Sequence, residues 1–191
     1  MVDLVPHPVP HNTGWIEVIS GCMFSGKTEE LIRRLRRAKF AKLNVKIFKP
    51  KIDDRFSKDE IVSHSEQTLP SIVIESSNEI LELANGADII GVDEAQFFDD
   101  GLPNAILKLA ELGKRVIVAG LDMDYRGEPF GPMPTLLATA EYVTKPKAIC
   151  VVCGSPATMT QRITDSKERV VVGATDKYEA RCRKHHYINT Q

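Results

Sequence analysis

The chain has 191 residues, 42% hydrophobic and 27% charged, the balance of a globular protein with apolar residues enough for one medium domain and a small appendage. Its 25 basic and 26 acidic residues leave a net charge of −1, which argues against a broad basic surface for nucleic acid and leaves only a local patch open. No apolar run reaches the roughly 18 residues of a membrane-spanning helix, so no membrane association is expected.

Residues 1 to 14, MVDLVPHPVPHNTG, carry three prolines and no apolar signal-peptide core. They read as a flexible leader, and a reducing cytoplasm, with no disulfides, is the default compartment. Trp15 to Ser20 (WIEVIS) reads as a strand. It runs straight into Gly21, Cys22, Met23, Phe24, Ser25, Gly26, Lys27 and Thr28, which fit G-x-x-x-x-G-K-[ST]. In that pattern glycines let backbone N–H groups curl around phosphate oxygens. Lys27 supplies charge near the terminal phosphates, and the Thr28 hydroxyl is a natural Mg²⁺ ligand. The motif says that a nucleoside triphosphate is gripped; it leaves water, a protein or a small molecule open as the acceptor.

Thr28 to Leu43 reads as an amphipathic helix, with Leu31, Leu35 and Ala38 on one face and the row Arg33, Arg34, Arg36, Arg37 on a solvated one. Val45 to Lys49 and Ile72 to Glu75 read as strands, and Ser76 with Glu79 makes a capping-box pattern opening a short helix to Ala84. Asp88 to Val92 is a buried-type strand that ends in Asp93 and Glu94. Asp93 is placed to reach the Mg²⁺ shell from a neighbouring strand end, and Glu94 to take a proton from an attacking hydroxyl. The same acidic pair is what an ATPase uses to activate water, so a zinc-bearing ATPase acting on nucleic acid is the rival reading. A helix opened by Pro103 and closed by Gly113, a strand Arg115 to Ala119 and a helix Pro134 to Ala140 complete the alternation. Strand–helix alternation over residues 15 to 145 implies a parallel α/β sheet flanked by helices, of the P-loop NTPase type.

From residue 146 to 191 the texture changes to short β-like runs, Thr158 to Ile163 and Arg169 to Val172, in a small second module. Cys150, Cys153, Cys182 and His185 form C-x2-C and C-x2-H pairs with 28 residues between them. In a cytoplasmic chain this spacing predicts a closed, structural Zn²⁺ site; His185 repeats the x2 spacing and His186 does not. Cys22 is left over as a small packing residue. A loop clamped by the metal at both ends is suited to closing over the phosphate site as a lid.

The pieces SGCMFSGKT, FKPKIDDRF, IVSHS, DEAQFF, AGLDMDYRGEPFG and VVVGATDKYEARCRKHH, in this order from Trp15 to His186, resemble the type II thymidine kinase family. The resemblance implies transfer of the ATP γ-phosphoryl group to the 5′-hydroxyl of thymidine in nucleotide salvage, with Mg²⁺ and a structural Zn²⁺. It also implies a homotetramer inhibited by dTTP. It makes Glu94 the general base, aided by Arg55 and Lys27. Residues 21 to 28, Asp53, Asp93, Glu94, Ala95 and Gln96 become nucleotide contacts. Met23, Tyr125, Phe130, Val170, Val171, Val172, Gly173 and Tyr178 become thymidine contacts, the last five on a lasso loop. Three departures stand out: Cys22 where the family commonly has proline, His185 where some members have cysteine, and a leader with no counterpart. His64 is assigned no role.

Overall fold

The computed structural model describes residues 13–51, 60–62, 68–166, 168–171 and 175–188. The elements run β1 (Trp15–Ser20), α1 (Lys27–Phe40), β2 (Val45–Pro50), β3 (Glu60–Val62), β4 (Thr68–Pro70), β5 (Ile72–Ile74), α2 (Asn78–Leu83) and β6 (Ile89–Val92). They continue with α3 (Leu102–Glu111), β7 (Arg115–Gly120), α4 (Met133–Thr139), β8 (Tyr142–Thr144), β9 (Ala148–Ile149), β10 (Pro156–Ala157), β11 (Met159–Arg162) and β12 (Tyr178–Arg181). Six strands form one sheet in the order β5-β2-β6-β7-β1-β8, and every neighbouring pair is parallel. The expected α/β sheet is therefore present, with β8 as a sixth strand that the sequence reading did not contain.

Period-two alternation along the central strands feeds two cores. Ile16, Val18, Ile90, Val92, Val116 and Val118 point to the layer built by α2, α3 and α4. Ile19, Ile89, Ile117 and Ala119 point to α1, which presents Leu31, Ile32, Leu35 and Ala38. Gly91 on β6 faces α1, and a Cβ there would lie 2.8 Å from Leu35 Cδ1. The missing side chain is what lets the helix settle this close to the sheet.

The helix predicted to reach Leu43 stops at Phe40, where Ala41 caps it and Lys42 takes a left-handed φ of 60°. Ser76 and Glu79 supply one arm of the predicted capping box: Glu79 Oε1 accepts the Ser76 N–H at 2.8 Å. Ser77, the residue before α2, donates its hydroxyl to Asp99 instead.

The arginine row is not uniformly solvated. Arg34 turns inward to Glu17, a carboxylate on the buried α1 side of β1. Glu17 also accepts from Arg115 Nε at 2.6 Å and Trp15 Nε1 at 2.8 Å, and Arg34 Nη2 continues to Thr144 Oγ1 on β8 at 2.8 Å. One carboxylate thus ties β1 to α1 and β7, and through Arg34 to β8. Burial by itself opposes its ionisation, but the hydrogen bond and charge of Arg115, with Trp15 and Arg34, outweigh that and hold the carboxyl below its usual value. A carboxyl depressed on folding stabilises the protein above its unfolded pKa and loses that contribution as pH falls through the folded one. Glu17→Gln should therefore cost about 3 kcal/mol at pH 7, and the difference from the parent should shrink on acidification below the ordinary carboxylate range. Urea melts of both proteins at pH 7 and pH 3.5 check this; a pH-independent difference would refute it.

Candidate functional site

The loop after β1 lies at the carboxyl end of the parallel sheet, where open α/β folds place ligands. Its backbone is bent for anion binding: Phe24 and Gly26 take left-handed φ angles of 65° and 85°, and α1 starts at the next residue, Lys27. Ser25 Oγ and Lys27 Nζ both donate to the Cys22 carbonyl at 2.8 Å, closing the loop on itself. Burial pulls the Lys27 ammonium below its ordinary pKa, with the Glu94 carboxylate the largest opposing influence. Desolvation of the ammonium is what an incoming anion would offset.

Opposite the loop, the carboxyl end of β6 delivers Asp93. Thr28 Oγ1 donates to its carboxylate at 3.3 and 3.4 Å. A hydroxyl from the first turn of α1 and a carboxylate just past β6 are hard oxygen donors, the set that a Mg²⁺ ion takes alongside phosphates. Glu94 follows in a left-handed conformation, φ 52°, uncommon for a side chain of its kind. Gln96 is buried and holds the geometry: its Nε2 donates to Glu94 Oε2 at 2.5 Å, and its Oε1 accepts the Leu121 N–H at 2.8 Å. Gly131 makes room for this segment, since a Cβ there would lie 2.3 Å from the Gln96 carbonyl oxygen. Ala95 is fully buried beside them.

Three residues beyond Glu94, Phe97 enters an aromatic cavity. Phe97 and Phe130 meet edge to face at 5.6 Å, and Tyr125, Tyr178, Met23 and Val171 share the same space. Met23, part of the phosphate loop, is fixed there by donating its N–H to Thr160 Oγ1 on β11 at 3.0 Å. Tyr178 on β12 donates its hydroxyl to the Val171 carbonyl at 2.9 Å, so Val170 and Val171 form one wall. The predicted β-run at Arg169 to Val172 is not a strand through Val171: its backbone is tied to side chains, to Arg162 at Arg169 and to Tyr178 at Val171. Asp53, Arg55, His64, Val172 and Gly173 lie outside the described residues.

The Sγ atoms of Cys150, Cys153 and Cys182 and Nδ1 of His185 all lie within 4.8 Å of one another. The Cys153–Cys182 and Cys150–His185 separations are both 3.8 Å, and Cys182–His185 is 3.2 Å. Tetrahedral Zn²⁺ with thiolate bonds of about 2.3 Å requires edges of about 3.8 Å, so the donors fit the ion. Burial works against ionising Cys150, but the N–H groups of Cys182, Val152 and Cys153 outweigh it and bring the thiol down to about 6, toward the thiolate a metal needs. His186 is excluded from the cluster, because its Nε2 donates to the Tyr125 carbonyl at 2.8 Å. The leftover Cys22 is buried as expected, and it packs with Ala148, Cys150, Ala157 and Ala180. The knuckle that carries Cys150 is therefore a buttress under the phosphate loop.

Seven cavity residues were not singled out from the sequence as site residues: Phe97, Leu121, Met123, Asp124, Thr160, Arg162 and Arg169. Arg162 is buried, with its guanidinium 3.6 Å above the Tyr125 ring and hydrogen-bonded to Tyr178 Oη at 2.8 Å. An arginine at an inward position of the run MTQR is the one signal that marked it.

The sequence model of the family described as thymidine kinase matches residues 14–186. A curated thymidine kinase of Rhodothermus sp. (strain ITI 518) is 58% identical over 173 residues, spanning 91% of this chain and 81% of that protein.

Proposed function

Because this chain belongs to the thymidine kinase family, we propose that it transfers the γ-phosphoryl group of ATP to the 5′-hydroxyl of thymidine. The observation that carries the reading is continuity: the phosphate loop contributes Met23 to the aromatic cavity, and the segment after β6 supplies Asp93 to the phosphate side and Phe97 to that cavity. Thymine has the size and the flat π-face for a slot lined by Phe97, Phe130, Tyr125 and Tyr178.

In this reading the loop N–H groups and Lys27 hold the triphosphate of ATP. Thr28 and Asp93 hold Mg²⁺, which when bound neutralises phosphate charge. Glu94 orients the sugar hydroxyl and accepts its proton, and Gln96 keeps the carboxylate aimed. Asp53 and Arg55 belong to the proposal as further phosphate contacts, and Val172 and Gly173 as further contacts to the base. Residues 15 to 145 carry the phosphate chemistry, and residues 146 to 191 hold the cavity wall around a structural Zn²⁺.

Inhibition by dTTP fits the same continuity, since one molecule carries both a thymine for the cavity and a triphosphate for the loop. Assembly as a homotetramer belongs to the proposal as what the family resemblance implies. Among the described residues no helix is long and apolar enough to cross a membrane. Placement in the cytoplasm is supported by a thiolate metal site, which needs reduced cysteines.

The test is ADP release from Mg·ATP with and without thymidine, against other nucleosides and single-stranded DNA. Thymidine should start turnover with accumulation of dTMP, and DNA should not. Stimulation by DNA with indifference to thymidine would instead favour the nucleic-acid ATPase.

A further inference from the structure

Two limbs of the chain face each other across the aromatic cavity, and an ion pair joins them. One limb is the turn after β7, from Asp122 to Phe130, which brings Tyr125 and Phe130. The other runs from Glu168 to Val171, which brings Val170 and Val171. Asp124 is 3% exposed, and its two carboxylate oxygens divide their work. Oδ1 accepts the N–H groups of Arg126 at 2.9 Å and Glu128 at 3.1 Å, which folds its own turn. Oδ2 accepts from Arg169 Nε at 2.9 Å.

Arg169 makes further contacts with the opposite limb. Its Nη2 donates to the Pro129 carbonyl at 2.9 Å, and its guanidinium stands 5.1 Å from the Phe130 ring centroid. On its own limb the backbone of Arg169 is gripped from beneath, its carbonyl accepting from Arg162 Nη2 at 3.0 Å. Arg162 Nη1 also donates to the carbonyls of Ser166 and Glu168. Two arginines therefore act in series. The buried one shapes the limb, and the half-exposed one fastens it across the cavity.

We infer that the Arg169–Asp124 pair is the latch that positions the Val170–Val171 wall against the Tyr125–Phe130 limb, and so sets how tightly the nucleoside is held. The inference rests on reading the aromatic cavity as the nucleoside site. Both residues line the aromatic cavity, and Lys27, Thr28 and Asp93 do not, so the latch acts on the nucleoside more than on the triphosphate. A buried carboxylate that loses its cation is left partly unpaired, which makes opening costly and gives the pair its leverage. Because the latch holds the nucleoside before and during transfer alike, its loss falls on KM more than on kcat.

The test uses Arg169→Met, which keeps the stem and removes the charge, and Asp124→Asn, which retains an oxygen for the Arg126 and Glu128 N–H groups. Each should raise KM for thymidine about tenfold with KM for ATP within about twofold of the parent. The double variant should be little worse than either single one, as partners in one interaction behave. Arg169→Lys should recover part of the loss. A second readout needs no nucleoside: hydrogen exchange at Val170 and Val171 should speed up about tenfold in both variants while β1 stays protected. If the parent does not phosphorylate thymidine, the functional reading fails and the exchange result alone decides the latch. Unchanged exchange, fully additive KM effects, or KM for ATP rising in step with that for thymidine would overturn it.

Discussion

Glu94→Gln should lower kcat for phosphoryl transfer by about three orders of magnitude while ATP binds within about twofold of its parental affinity. Three decades correspond to about 4 kcal/mol of transition-state stabilisation. The substitution is informative because the structure already provides for its geometry. Gln96 Nε2 donates to the Glu94 oxygen, and a glutamine side chain can present its own oxygen to the same donor. The left-handed backbone at position 94 is also asked of a residue of equal size. What disappears is basicity. A single-turnover measurement with bound ATP and saturating thymidine isolates the step, and equilibrium titration of a fluorescent ATP analogue gives the affinity. Near-parental turnover would remove Glu94 from the proposed role and reopen the question of which group takes the proton.

The second large effect is expected from metal removal. Stripping zinc with a strong chelator at pH 7 should lower Tm by at least about 10 °C, which for a chain of this size is about 3 kcal/mol. Turnover should vanish and return with Zn²⁺ but not with added Mg²⁺. The reasoning is mechanical. Without a central ion, three sulfurs and an imidazole lose their common partner, and the knuckle around Cys150 to Gly154 loses its anchor to Cys182. The damage spreads because Ala148, Ala157 and Ala180 pack on Cys22 in the phosphate loop, and because His186 holds the Tyr125 carbonyl. Differential scanning calorimetry with metal content measured in parallel checks the claim. An apo protein that melts where the holo protein melts and still turns over would contradict it.

Much of this was legible in the residues. The buried runs DIIGV and RVIVA, the phosphate loop and the helix after it carry strong local signals, and all are present, the helix ending three residues early at Phe40. The cysteine spacing likewise names its four partners before any coordinate does. What stayed hidden was made by pairing at a distance. Strand β8 has three residues and no pattern of its own; it exists because Glu17, Val18 and Ile19 offer it an edge. Ribbon β9–β10 is two residues wide, too short for any alternation to show. Arg34 looked like one of four surface arginines until Glu17, on a different element, drew it inward. Asp124, Arg162 and Arg169 are scattered in sequence, and their shared purpose comes from the turn and hairpin that bring them together.

The packing of Cys22 on Ala157 bridges 135 positions of sequence. During translation at roughly 5–20 residues per second, the phosphate loop therefore leaves the ribosome about 7 to 27 seconds before its buttress is made. The sulfurs of the proposed metal site are themselves synthesised at either end of a further delay, Cys150 early and Cys182 late. A nascent chain thus passes through an interval with its nucleotide loop formed, its underside uncovered and no means of closing the aromatic cavity. Messages truncated in that interval should yield chains unable to transfer phosphate and dependent on chaperones to stay in solution.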